Sequence, residues 1–202
     1  MIMLLGRLFL GLLLLPALAL AQQSASDDQD DGARGLRNVT ILIVRHAEKP
    51  DQGSGLTPQG MQRAEAYAAY FDPLRLDGKT FQPQRLIATS DSKSSERPRL
   101  TLAPLAARLR LPLEQPYANK DVDQLVQSLR ANNRAGVVLI AWHHGHISDL
   151  VNSFGANMTS ITGSGAWPGD VYSWLIVLHF DEHGQLTTAG TQLVHEHLLP
   201  GD

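Results

Sequence analysis

The chain has 202 residues, with 17 Lys plus Arg against 20 Asp plus Glu, a formal net charge of −3 and no cysteine. That balance lacks the basic excess of a nucleic-acid binder. Without cysteine the chain has no disulfide staple and no thiol at risk in an oxidising compartment, so its fold must stand on a hydrophobic core.

Residues 1–21 read as a secretory signal peptide, with Arg7 in the n-region, an apolar run from Leu8 to Leu15 broken by Pro16, and the small-x-small pattern Ala19-Leu20-Ala21. The apolar stretch falls short of the roughly 20 residues of a span, and no stop-transfer flank follows. A periplasmic or secreted protein is therefore expected, with no stable membrane insertion after cleavage. Residues 22–37, "QQSASDDQDDGARGLR", hold one sizeable apolar side chain, Leu36, and are expected to form a disordered leader. One globular domain is expected over 38–202, a length that suits a substantial core.

Val39 to Val44 is a continuous apolar run, the signature of a strand covered on both faces. Thr57-Pro58 supplies an N-cap and an N1 proline for a helix carrying Met61, Ala64, Ala68 and Phe71. Gly60, in the first turn of that helix, is either a tolerated defect or a point of close approach to the preceding loop. Leu86-Ile87-Ala88 is a second short strand. A helix is expected from Pro98 through Leu102, Leu105, Ala106 and Leu109, kinked or cut short at Pro104. Asp121 and Gln124 form a capping-box pattern before Val122, Leu125, Val126 and Leu129.

Gly136 to Trp142 is the third buried strand, followed by a helix with Ile147, Leu150, Val151 and Phe154 on one face and Gly155 as its C′ residue. "VYSWLIVLHF" and "QLTTAGTQLV", joined by "DEHG", read as a terminal hairpin. "TGSGAWPGD", 162–170, reads as a glycine-rich connector that could line a pocket mouth. The alternation of strand and helix gives an α/β fold, a three-layer α/β/α sandwich with a mostly parallel central sheet and an antiparallel edge hairpin near the C-terminus.

In such sheets the functional crevice lies beyond the carboxyl ends of the strands. The first strand ends in Arg45-His46, the second runs into "TSDSKSSERPR", and the third into His143-His144-Gly145-His146. Two arginine-bearing ends and one histidine-rich end on one rim suit a phosphoryl group, whose charge lies on three equatorial oxygens. A neutral imidazole can attack phosphorus if its other ring nitrogen keeps a proton and donates it to a fixed acceptor. His46 is the candidate for that role, with Arg45 and Arg97 as clamps. "HHGH" supplies three imidazoles, but neighbouring histidines on one loop seldom face one ion and an adjacent arginine repels a cation; a metal site is the weaker reading. His179, His183, His195 and His197 fall on the terminal hairpin and tail, as solvated or packed residues.

"VRHAEK" (44–49), "LTPQGMQRA" (56–64), "ATSDSKSSERPRLT" (88–101) and "VVLIAWHHGHI" (137–147) resemble, in order, the four landmarks of the histidine phosphatase superfamily, the phosphoglycerate mutase-like or RHG-type enzymes. The resemblance implies that this fold hydrolyses a phosphomonoester of a small molecule or other phosphorylated substrate, without a cofactor. His46 is similar to the family's phosphorylated nucleophile, Arg45 to its phosphate ligand and Arg97 to its second arginine. With Pro98 at N1, Arg97 would be an N-cap beside the free N–H groups of a helix start; Arg99 is the alternative. For the second phosphate histidine, His143 matches most members, whereas His144 matches a "WxHG" variant and is favoured by the tryptophan and glycine.

The general acid has no clear match. The glutamate segment of the mutases is absent, which argues against a phosphoglycerate mutase, and no aspartate directly follows His143 or His144. Glu48 leads the candidates from its place beside the nucleophile, followed by Asp91, Glu96 and Asp149. A protein that binds a phosphoryl ligand without turnover is the second reading.

Overall fold

The structure, a computed structural model, describes residues 35–132 and 136–202. The expected signal peptide and residues 22–34 of the expected leader lie outside the described residues. Residues 35–37 do not: Leu36 is 1% exposed within the core, and the Gly35 N–H donates to the Arg130 carbonyl at 2.8 Å. The described chain is thus held to the core from Leu36 onward, by an apolar side chain buried in it.

Among the described residues six strands form the central sheet, in the order β5-β4-β6-β1-β7-β8. They are β1 (Val39–Arg45), β4 (Arg85–Ala88), β5 (Leu113–Glu114), β6 (Val137–Trp142), β7 (Trp174–Phe180) and β8 (Gln192–His195). The first four are parallel; β7 pairs antiparallel with β1, and β8 with β7. β1 lies in the middle of the sheet with all seven residues buried, which is why it reads as an unbroken apolar run.

Its alternation sorts the two faces. Ile41 and Ile43 join the cluster formed by α3 (Val122–Ala131) and α4 (His144–Ser153), whereas Leu42 and Val44 join that of α1 (Pro58–Tyr70) and α2 (Arg97–Leu109). The three expected layers follow. β2 (Leu74–Leu76) and β3 (Lys79–Phe81) make a separate hairpin, and α5 (Met158–Thr162) a short helix, none of them anticipated from the sequence.

Three local expectations are corrected. α2 begins one residue earlier, with Glu96 as N-cap, Arg97 at N1 and Pro98 at N2. It also runs through Pro104 to Leu109 without a break, because the proline removes one N–H while Leu105 and Ala106 just beyond it are buried. At α3 the Asp121 side chain caps nothing in the helix and instead accepts the Ala118 N–H at 3.2 Å. The terminal hairpin pairs Trp174 with His195 and Val177 with Gln192, but a 3-10 turn at Thr188–Gly190 interrupts its second half. Thr57 and Gly155 act as expected: Thr57 Oγ1 accepts the Gly60 N–H at 3.0 Å, and Gly155 takes φ +89° after α4.

Candidate active site

The β1/β6 register pairs Arg45 with Trp142, and the His46 N–H donates to the Trp142 carbonyl at 2.9 Å. The next residue of each strand is a histidine, so parallel register sets His46 against His143, with ring centroids 5.1 Å apart at 68°. Of the two histidines weighed for the second phosphate position, His143 is thus the one whose ring meets that of His46. His144 opens α4 on the other side of the pair, with Nδ1 3.4 Å from Arg45 Nη2. His146 faces solvent and pairs with Asp149 at 2.9 Å.

His46 is 2% exposed, and its Nδ1 lies 2.7 Å from the Ala47 carbonyl. A carbonyl only accepts, so Nδ1 carries the proton and Nε2 the lone pair. Burial pushes the His46 pKa down to about 3; the carbonyl bond works against this, and the charges of Arg45, His143 and Arg97 add to it. His143 is lowered to about 4, first by burial and then by Arg97. Arg97 thus stands close enough for its charge to act on both imidazoles. Its guanidinium donates to the carbonyls of Gly55 (3.0 Å) and Gly53, which ties the start of α2 to the loop after β1. Arg99, the alternative, is taken up by Asp91 and Glu96 at 2.7 Å each.

Arg45 is fully buried. Nη1 donates to the carbonyls of Gly169 and Val171 at 2.9 Å and of Pro168 at 3.3 Å, while the Tyr172 ring lies 3.7 Å from Cζ. Desolvation lowers its pKa. Among the described residues its buried Nε has no hydrogen-bond partner, which leaves a strong donor in a cup that already holds Arg97 and two neutral imidazoles. The connector at 162–170 therefore does contribute to the site, through backbone oxygens that fix Arg45. Tyr172 was not anticipated; an aromatic residue just after "PGD" was the one available signal.

None of the four proposed acids offers a free carboxyl. Glu48 takes three hydrogen bonds from Arg63, at 2.7, 2.9 and 3.1 Å, so its carboxylate beside the nucleophile is engaged in a buried ion pair. Asp91 and Glu96 are held by Arg99, and Asp149 by His146. What the cup can do is bind a tetrahedral dianion on cationic donors and present one uncharged ring nitrogen.

No family model matches the chain, and no curated protein matches it. Solved structures share its fold. The phosphoserine phosphatase of Entamoeba histolytica in complex with 3-phosphoglyceric acid aligns over 80% of this chain and 100% of that chain, at 15% identity and a TM-score of 0.53. A phosphoglycerate mutase of Plasmodium falciparum aligns over 81% and 94%, at 15% identity and a TM-score of 0.50. A phosphoglycerate mutase of Bacillus anthracis aligns over 77% and 92%, at 11% identity and a TM-score of 0.50.

Proposed function

We propose that this chain, which has the fold of the histidine phosphatase superfamily, is an exported phosphatase that hydrolyses a phosphomonoester through a phosphohistidine at His46. The observation that carries the reading is the His46 Nδ1 to Ala47 carbonyl bond of 2.7 Å, which fixes the tautomer with Nε2 unprotonated. The depressed pKa of about 3 keeps that nitrogen neutral at any physiological pH.

In the first step Nε2 attacks phosphorus and the P–O bond to the alcohol breaks, with charge on the equatorial oxygens met by Arg45, Arg97 and His143. The incoming dianion offsets the charges of Arg97 and Arg45 and favours a proton on His143, whose pKa burial first and then Arg97 hold at about 4 without it. Water then attacks the phosphohistidine, breaking P–N and releasing phosphate and the imidazole. Because the four candidate carboxyls are engaged, leaving groups that depart as stable anions should react fastest. The same engagement favours the second reading, a phosphoryl-ligand binding protein without turnover. Export is supported by the pattern ending at Ala21, and a mature N-terminus at Gln22 in recovered protein checks it.

The test is turnover of para-nitrophenyl phosphate in chelator, with rapid quench for acid-labile phosphoenzyme. Wild type is expected to label and turn over, and His46→Ala to lose at least about 1,000-fold in kcat. Full activity in His46→Ala would overturn the reading, whereas vanadate retention with neither labelling nor turnover would favour the binder.

A further inference from the structure

The carbonyl that fixes the His46 tautomer belongs to the Ala47–Glu48 peptide, and three contacts made by these two residues hold the chain on either side of it. The Ala47 N–H donates to Thr101 Oγ1 at 2.8 Å, and the Glu48 carbonyl accepts the Thr57 N–H at 3.0 Å. The third contact is the Glu48 carboxylate, gripped by Arg63 Nε and Nη2. Rotation about the Glu48 backbone would swing the Ala47 carbonyl away from Nδ1, so whatever fixes Glu48 also fixes the nucleophile.

Arg63 is itself held from its far edge. Nη1 and Nη2 meet the two carboxylate oxygens of Asp202 at 3.0 and 2.5 Å, and Asp202 Oδ2 accepts the backbone N–H groups of Leu198 and Leu199 at 2.9 Å. One planar guanidinium thus bridges two carboxylates, a geometry that a single ammonium could not reproduce. The side chains of Arg63, Asp202 and Glu48 are 2, 5 and 11% exposed, so water screens the bridge little. Burial alone would lower the Arg63 pKa, but the bonds to Asp202 and Glu48 outweigh it and raise it.

We infer that Arg63 and Asp202 are positioning residues for His46, so that the segment 196–202 sets the orientation of the nucleophile through one guanidinium. The catalytic consequence rests on the phosphohistidine reading; the geometric one does not. Without Asp202 half of the Arg63 fork is left buried and unpaired, and the fork must turn to find another acceptor, loosening its grip on Glu48.

The test compares full-length wild type with Asp202→Ala, Asp202→Glu and Arg63→Lys. Two quantities are measured: the exchange rate of the His46 Nδ1 proton by NMR, and the rate constant of phosphoenzyme formation from para-nitrophenyl phosphate by rapid quench. In Asp202→Ala, proton exchange is expected to quicken about 10-fold and phosphorylation to slow about 10-fold at an unchanged burst amplitude, with partial recovery in Asp202→Glu. A bridge that only stabilised the fold would lower the amplitude and leave both rate constants per folded molecule intact, and that result overturns the inference. Should Asp202→Ala not fold, Arg63→Lys keeps the charge but not the double edge, and the same two shifts are expected of it. If wild type forms no phosphoenzyme, the phosphatase reading falls, while unaltered proton exchange in the variants would still overturn the positioning role.

Discussion

Burial at His46 does two things at once: it strips water from the ring, and it leaves the Nδ1–H to donate to the Ala47 carbonyl. In the fold, burial pushes its pKa down to about 3 from the ordinary histidine value of 6.5. Its contribution to stability is therefore present above about 6.5 and is lost as pH falls toward 3. An NMR titration is expected to show the neutral Nδ1–H tautomer of His46 down to about pH 4, with vanadate raising the His143 pKa well above about 4. A His46 that protonates near 6.5, or a His143 indifferent to vanadate, would show that the two rings do not share one cup. That the rings meet could be read from two strands ending in histidine. Which of His143 and His144 would face His46 could not, because strand register decides it and the local sequence does not encode register.

At the scale of elements, α1 approaches the loop after β1 more closely than any side chain would allow. A Cβ on Gly60 would lie 2.5 Å from the Glu48 carbonyl oxygen and 3.0 Å from its nitrogen, both of them backbone atoms that cannot step aside. In an exposed helix Gly→Ala gains about 1 kcal/mol; here the overlap should win, at a net cost of about 1 to 3 kcal/mol. Urea denaturation of Gly60→Ala is expected to show a lower midpoint together with slower turnover, and a higher midpoint would mean that the helix does not press on Glu48.

β1, β6 and α1 were legible because a fully covered strand leaves an apolar run and a Thr-Pro start leaves a cap. The β2–β3 hairpin was missed although Asp77-Gly78, at φ +50° and +74°, is a turn signal; its three-residue strands are too short to display alternation. The carbonyls that hold Arg45 leave no trace in side-chain identity, and the Arg63–Glu48 pair depends on how α1 is rotated, which the sequence does not state.

Across the molecule, the same corner that steadies His46 contains a second, opposing ionisation. Glu196, just after β8, is 1% exposed, accepts the Tyr67 hydroxyl at 2.8 Å on one oxygen and, among the described residues, has no partner on the other. Burial raises its pKa to about 8, with Tyr67 and Arg63 pulling the other way. The folded state thus holds a proton that the unfolded chain, at about 4.5, gives up. The stability it contributes is complete below about pH 4.5 and is lost as pH rises through about 8. Asp202 runs in the opposite sense: burial would raise its pKa but Arg63 lowers it, so its contribution is present above the ordinary carboxylate range and lost in acid. Stability should therefore form a dome with its alkaline shoulder set by Glu196. Glu196→Gln keeps the shape and removes the ionisation, so its urea midpoint should exceed that of wild type at pH 9, by roughly a few kcal/mol in free energy, and converge with it near pH 5. Parallel midpoints for the two proteins from pH 5 to 9 would mean that Glu196 is already ionised in the native core, and that the alkaline shoulder has another source.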